Sequence, residues 1–547
     1  MFNWKEFEKN KNILTHVGQE YYREDLGQHH IELRPKDLLK WIELAKEDLG
    51  YLTLVDIAGV DRLLNPHKDS YRFELVYHLL NMGTHQRLNL HLHFNAGEIV
   101  PSVSRFFTHA SWMECEQKEM LNIEFDQKLH SLLLPKGQEV YPFRKDAKAG
   151  QWPVELPDEL PTLRKNPNKS ETPYPEESYQ WQKFGTLSPE TLGNFEWDVC
   201  FNPNEVVQSQ VKIGYHHQGL EKLLEEKDWL QVIQLVDKIH LGAAPTYSLA
   251  WVRTLEDILR VKLPERAQAI RIVVLELARI VEHLTVLSEI CTTTGHEEAV
   301  LFLDAREKVY ELFEKYCGHR QGLGIARIGG VREDLPHGWI VEYQTVADIL
   351  HKNLNLINKS LMAKRNFRSQ IDHAPVAAQT VLQWGISGPT MRASGLNFDL
   401  RKSQPFYFYQ DIDFDVPVGI HGTSYDRYLI RFEEIHQSLR IITQVMDNLP
   451  LGETINSVMN LNYIELKEFL KTLPSAEGWH YSCLESPNGE AGFFLLPGKD
   501  LRPYRVKMKT PSFSLVQALP QFVLGLKQDQ LRSNLASLGI RRFEMDR

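Results

Sequence analysis

The chain has 547 residues, too many for one core of about 150, so two or more folded units are expected. Apolar residues make up 42%, charged residues 24% and aromatics 10%, an ordinary globular balance that excludes a mainly disordered or fibrous protein. With 62 Lys and Arg against 72 Asp and Glu the net charge is −10, which gives no global support for neutralising nucleic-acid phosphates.

The start, from Met1 to Glu6, lacks a basic region followed by an apolar core, so no export signal is expected and the protein should stay inside the cell. Pro35 opens a helix with Leu38, Leu39 and Ile42 on one face, and a strand follows at Tyr51 to Ile57. Phe73, Leu75 and Tyr77 alternate with polar residues, as do the apolar positions from Leu88 to Phe94, which predicts two half-buried strands. Residues 1–146 therefore read as a small α+β domain. His29, His30, His91 and His93 lie within it; His91 and His93 would project from one strand face, solvated or hydrogen-bonded by default, with metal ligation the lesser alternative.

From 147 to 184 the prolines at 153, 157, 161, 167, 173 and 175 alternate with polar residues, which predicts a semi-rigid linker. Residues 185–547 read as a mainly α domain with a small β portion. Its helical segments are Leu220 to Ile239, Ala299 to Tyr316, Tyr343 to Leu361, Tyr425 to Met446 and a stripe from Ile270 to Leu287. Residues from Tyr481 to Pro511 are strand-like, with a turn at Ser486 to Gly489. The stripe is interrupted by Arg271, Glu276, Arg279, Glu282 and His283, and no segment offers the ~18 consecutive apolar residues of a membrane span.

The five cysteines, Cys115, Cys200, Cys291, Cys317 and Cys483, are far apart and form no C-x-x-C, so neither a disulfide framework nor a local zinc or iron–sulfur ligand set is expected. No dinucleotide, P-loop, zinc-protease or nucleophile-elbow motif is present. Gly329-Gly330 and Arg392-Ala-Ser-Gly395 allow either a close backbone approach or a tight turn. His216-His217 precedes a helix, where polar caps are common.

Longer motifs carry a resemblance. Tyr215-His-His-Gln-Gly-Leu-Glu-Lys222, Pro264-Glu-Arg-Ala-Gln-Ala-Ile-Arg271, Arg327-Ile-Gly-Gly-Val-Arg332, Phe414-Asp-Val-Pro-Val-Gly-Ile-His-Gly422, Arg502-Pro-Tyr-Arg505 and Asp546-Arg547 resemble the D-type subunit of the proton-pumping NADH-quinone oxidoreductase, respiratory complex I. Phe73-Glu-Leu-Val-Tyr77, the segment Trp112 to Phe125 and Tyr141-Pro-Phe-Arg-Lys-Asp146 resemble the C-type subunit of the same complex. The order matches a fused C/D polypeptide.

The resemblance implies an α+β fold whose second domain is similar to the large subunit of [NiFe] hydrogenases. His240 and Ala243 stand where the first nickel-binding cysteine pair would lie, so the chain itself should hold no metal or cluster. It implies a place in the peripheral arm, on the cytoplasmic side of the cell inner membrane. Its expected partners are the B-type iron–sulfur subunit, the I-type subunit and the membrane arm, with NAD and FMN on other chains. A quinone would bind at the interface with the neighbouring iron–sulfur subunit and need proton donors beside the ring. The family's His, Tyr and Asp positions fall on Leu192, Trp251 and near Thr292, and the cluster-side arginine on Gln218, so the catalytic groups are open.

Thr191, Gly193, Tyr247 and Trp251 are the pocket candidates, and His216, His217 and Tyr247 are alternative proton donors. The alternatives are a divergent scaffold paralogue that has lost or altered quinone reduction, and a hydrogenase-related membrane complex fed by ferredoxin or another donor.

Overall fold

The computed structural model describes the backbone of residues 22–25 and all of residues 28–63, 71–134, 140–147, 179–473 and 478–547. Strands β1 (Tyr22–Asp25) and β2 (Gln28–Leu33) precede helix α1 (Leu38–Glu47), then β3 (Thr53–Asp61), β4 (Phe73–Asn81) and β5 (Gln86–Phe94). They form one sheet in the order β1-β2-β5-β4-β3, antiparallel except for β2 beside β5. Helix α2 (Ala110–Leu121) lies between the short paired strands β6 (Ile99–Val100) and β7 (Glu124–Phe125). It packs so close to β3 that a Cβ on Gly59 would sit 2.4 Å from the Gln117 side chain.

Register places Leu75 opposite Leu92 and Tyr77 opposite Leu90, while the alternate positions pair Glu74 with His93 and His78 with Asn89. The alternation was expected to leave the second face wet, yet every residue of β4 is buried. The cover comes from the second half of the chain: His78 stacks on Phe494 with ring centroids 3.6 Å apart, and Arg87 pairs with Glu490 at 2.9 Å. An alternating strand thus marks an internal, ion-paired interface here.

His91 lies in this layer with Nε2 2.9 Å from His30 Nδ1 and Nδ1 2.8 Å from Glu74, whereas His93 meets Glu32. The two imidazoles share a face, but separate carboxylates take them. Among the described residues, no group of three or more His, Cys, Asp or Glu is arranged to hold a metal ion.

The prolines of segment 147–184 lie outside the described residues. Its end is a strand rather than linker: β8 (Gln180–Phe184) pairs with β9 (Glu196–Phe201), which pairs with β10 (Val206–Lys212). The stretch 176–188 has no proline, so its amides are free to join a ladder, and Phe184 packs against Trp197.

The helical segment expected from Leu220 to Ile239 is two helices, α3 (Leu220–Glu226) and α4 (Trp229–Val236). Lys227 is extended and Asp228 starts a new capping box with Gln231, so local hydrogen bonding to Asp228 interrupts the helix despite continuous apolar spacing. Then come α5 (Pro245–Leu259), α6 (Glu265–Thr293), α7 (Glu298–Cys317), the hairpin β11 (Ala326–Arg327) and β12 (Gly330–Val331), and α8 (Trp339–Ala363). Short helices α9 (Arg365–Ile371), α10 (Ala378–Gln383), α11 (Pro389–Ala393) and α12 (Leu400–Ser403) lead to α13 (Ser424–Asp447) and α14 (Tyr463–Thr472). Sheet β13 (His480–Ser486), β14 (Gly489–Pro497), β15 (Pro503–Lys509) and helices α15 (Pro511–Phe522), α16 (Gln528–Leu538) and α17 (Arg542–Met545) complete the chain.

Helix α6 is the central element, in contact with α5, α7, α13 and α16. The apolar stripe forms as expected, but Arg271, Glu276, Arg279, Glu282 and His283 are buried too. Each meets a polar or charged partner from another element, so α6 is enclosed on all sides.

The Gly329-Gly330 loop approaches the chain itself. A Cβ on Gly330 would lie 2.2 Å from the Thr454 carbonyl oxygen, backbone that cannot swing away. Gly330→Ala should therefore lower stability by about 1–3 kcal/mol, read as a lower unfolding midpoint in urea at unchanged slope. An unchanged midpoint would show that the 454–459 loop yields freely.

Candidate active site

The turn before β9 is a 3-10 helix, Pro189–Thr191, closed by Leu192 and Gly193, both at positive φ (51° and 76°). Thr191 is buried, and its hydroxyl donates to the carbonyls of Gly185 (3.0 Å) and Ser188 (2.9 Å), so it fastens the turn. Gly193 and Leu192 are half-buried, and His216 Nε2 lies 3.3 Å from the Gly193 carbonyl oxygen.

His216 and His217 tie this turn to the last residues of the sequence. The amides of Gly214 and His216 donate to the two carboxyl oxygens of Asp546 at 2.9 and 2.7 Å. Burial raises the Asp546 carboxyl above its ordinary range, against the pull of those two amides. His217 Nδ1 lies 2.9 Å from the Arg547 carbonyl oxygen, and Gln218 beside it is exposed. These histidines face backbone carbonyls and cap no helix: Gly219, at positive φ, is the N-cap of α3 and receives no side-chain hydrogen bond.

A second constellation lies at the start of α5. His240, itself extended, follows the turn that ends α4 and precedes the 3-10 turn Leu241–Ala243, and its ring is clamped on both sides: Nε2 is 3.0 Å from Glu282 of α6 and Nδ1 is 3.0 Å from Glu544 of α17. All three are buried. The Tyr247 hydroxyl donates to the same Glu544 oxygen at 2.8 Å, while Arg541 Nε (2.7 Å) and Asn488 Nδ2 (2.9 Å) donate to the other oxygen of Glu282.

Burial alone would lower the His240 pKa, but Glu282 and Glu544 outweigh it and raise it to about 9. Burial would raise Glu282, yet Arg541 and then His240 hold it well below the usual carboxylate range. Tyr247 goes well above an ordinary phenol, by burial first and Glu544 second. Chemically this is a group that keeps a positive charge and a proton inside the protein at neutral pH.

The structure separates the other sequence candidates from this cluster. Trp251, one turn after Tyr247, is sealed in the core: its N–H donates to the Trp229 carbonyl at 3.0 Å and its ring meets Phe493 edge-on. Its side chain, like that of Tyr247, is fully enclosed within this chain. Thr292 is exposed near the end of α6, ten residues past Glu282 or about 15 Å along the helix, and bonds the Ser288 carbonyl. Tyr247 reaches the cluster; Thr191 and Gly193 belong to the neighbouring turn.

Sequence reasoning missed Glu282 and Glu544 and noted His240 only as a cysteine replacement. A signal was available in Glu282, an acidic residue inside an apolar stripe. Glu544, from the last turn of the chain, had none.

Residues 31–152 match the family described as respiratory-chain NADH dehydrogenase, 30 Kd subunit, and residues 295–547 match the 49 Kd subunit. A NADH-quinone oxidoreductase C/D subunit from Bdellovibrio bacteriovorus is 31% identical over 540 residues, covering 95% of this chain and 96% of its own. Proteins with the same name from Psychrobacter sp. and Shewanella oneidensis are each 29% identical, covering 91% and 98% of this chain and 89% and 95% of their own. The chain therefore belongs to the family of NADH-quinone oxidoreductase C/D subunits.

Proposed function

We propose that this chain is a fused C/D subunit in the peripheral arm of a NADH-quinone oxidoreductase, with residues 1–146 as the C-like part, 147–179 as the connection and the D-like part starting at strand β8. The observation that carries the reading is the full-length match, with both parts in order, to relatives bearing that name. A quinone would be reduced at the interface with a neighbouring iron–sulfur subunit, its electrons coming from NADH through flavin and clusters on other chains. Among the described residues no helix is long and apolar enough to cross a membrane. Its seat would be on the cytoplasmic face of the inner membrane, held by the B-type and I-type subunits and the membrane arm, as membership in such a complex implies.

Within this chain the half-buried Thr191–Gly193 turn and the cluster around His240 and Tyr247 frame the approach for the ring. Reduction takes two electrons from the neighbouring cluster and two protons, so a proton must be held close to where negative charge develops on the ring oxygens. Leu192 offers no proton, and Trp251 is committed to the Trp229 carbonyl.

The test is NADH:quinone reductase activity of the membrane complex purified through a tag on this chain, with and without a quinone-site inhibitor. Inhibitor-sensitive turnover is expected. A complete complex with none would overturn the reading and leave the chain as a scaffold.

A further inference from the structure

We propose that His240, clamped between Glu282 and Glu544, holds the proton that this chain contributes to quinone reduction, an inference that rests on the function proposed above. A donor has to be protonated at working pH, give the proton up, and lie under a thin cover. Leu192 and Trp251 fail the first condition, and His216 and His217 are turned to backbone carbonyls.

His240 meets all three. Each ring nitrogen faces a carboxylate oxygen at 3.0 Å, so both N–H groups of the imidazolium have acceptors and the charged ring is the form the cavity is built for. Its cover is the turn Leu241–Ala243, where Leu241 is 44% exposed. Gly242, partly exposed, passes so close that a Cβ there would sit 2.8 Å from Glu282 and 3.5 Å from His240 Nε2. Backbone without a side chain is all that fits over the imidazolium at that point.

The charged and titratable surroundings are complete enough to fix the sign. Glu282 of α6 and Glu544 of α17 face the ring; Tyr247 of α5 bonds Glu544, and Arg541 bonds Glu282 and, at 2.9 Å, Glu289. Arg431 of α13 and Tyr310 of α7 act on Glu282 at longer range, and Arg547 acts on Tyr247. Arg541 is shared between Glu282 and Glu289, so loss of the His240 proton lowers the net charge beside Glu282 and Glu544 by one.

The two electrons would come from the cluster of the neighbouring iron–sulfur subunit. A proton leaves the His240 imidazolium and passes through water at the thin Leu241–Ala243 cover as an O–H bond forms on one ring oxygen, leaving a neutral imidazole. Water supplies the proton for the other oxygen and reprotonates His240. The second buried carboxylate makes the neutral imidazole short-lived, so the group resets itself.

The experiment measures NADH turnover by the whole complex from about pH 6 to about pH 10, with a short-chain quinone and separately with ferricyanide, which needs no proton. Wild-type quinone turnover is expected to fall as pH rises through about 9, with no such limb for ferricyanide. His240→Gln should lose about a hundredfold in quinone turnover while ferricyanide reduction stays, which also reports assembly.

Glu282→Gln should move the alkaline limb to lower pH, an effect that a purely structural role would not produce. The inference is overturned if the wild-type quinone rate has no alkaline limb, if Glu282→Gln leaves that limb in place, or if His240→Gln keeps rate and limb. An intact wild-type complex without quinone turnover would overturn the proposed function itself.

Discussion

Arg271→Met is expected to destabilise the chain by about 3–5 kcal/mol. Arg271, on the central helix, makes two parallel bonds to Glu256 of α5 at 2.8 and 2.7 Å, and it also donates to the carbonyls of Gly330 and Arg327. Neither partner sees solvent to any extent. Losing the guanidinium leaves the Glu256 carboxylate with the Gly329 amide (2.7 Å) as its remaining strong donor, inside a region where water cannot replace the lost charge. Adding Glu256→Leu to Arg271→Met should recover much of the loss, because the desolvated charge is then gone from both sides. Chemical unfolding of the four proteins of that cycle gives the coupling directly. If Arg271→Met costs under about 1 kcal/mol, the pair is not the buried clamp its geometry implies.

The second large effect is expected where the two parts of the chain meet. Glu116 of α2 accepts from Lys507 Nζ at 2.5 Å and from Arg547 at 3.3 Å, and both cations are buried. Arg505, two residues earlier on β15, pairs with Glu221 at 2.8 Å and donates to the Gly59 carbonyl of β3 at 2.9 Å. Arg547 also covers the face of Phe513 at 4.0 Å. Glu116→Ala removes the acceptor that two enclosed cations share, leaving Glu221, 3.5 Å from Lys507 and 3.7 Å from Arg547, and Asp56, 3.7 Å from Arg547, as the carboxylates nearby. A loss of about 3–5 kcal/mol is expected, concentrated at this contact. With a protease site inserted between residues 147 and 179, the cut wild-type halves should migrate together in gel filtration and the Glu116→Ala halves should separate. Co-migration of both would show that the apolar part of the interface suffices.

Much of this architecture was legible because periodicity is a property of the chain itself. The alternation from Leu88 to Phe94 gave a strand, and the Ile270 to Leu287 spacing gave the central helix. What periodicity leaves open is the identity of the covering surface. The half-buried reading of these strands missed a cover whose groups, Phe494 on His78 and Glu490 on Arg87, come from some 400 residues away. The break at Asp228 was missed because a capping box competes with apolar spacing that looks continuous. For the candidate site the motifs pointed to the His216-His217 turn and the start of α5, which the fold places next to the last residues of the sequence. His240, Glu282 and Glu544 are separated by 42 and then 262 residues in sequence, so only folding brings them together.

The polar face of β4 and β5, covered by the second half of the chain, bears on how the molecule is made. A contact rich in enclosed ion pairs is slow to assemble from two free proteins, since each encounter strips water from several charges at once. Translation as one polypeptide turns that encounter into an intramolecular event with a high effective concentration. Equal numbers of the two parts are then guaranteed, and dilution cannot part them.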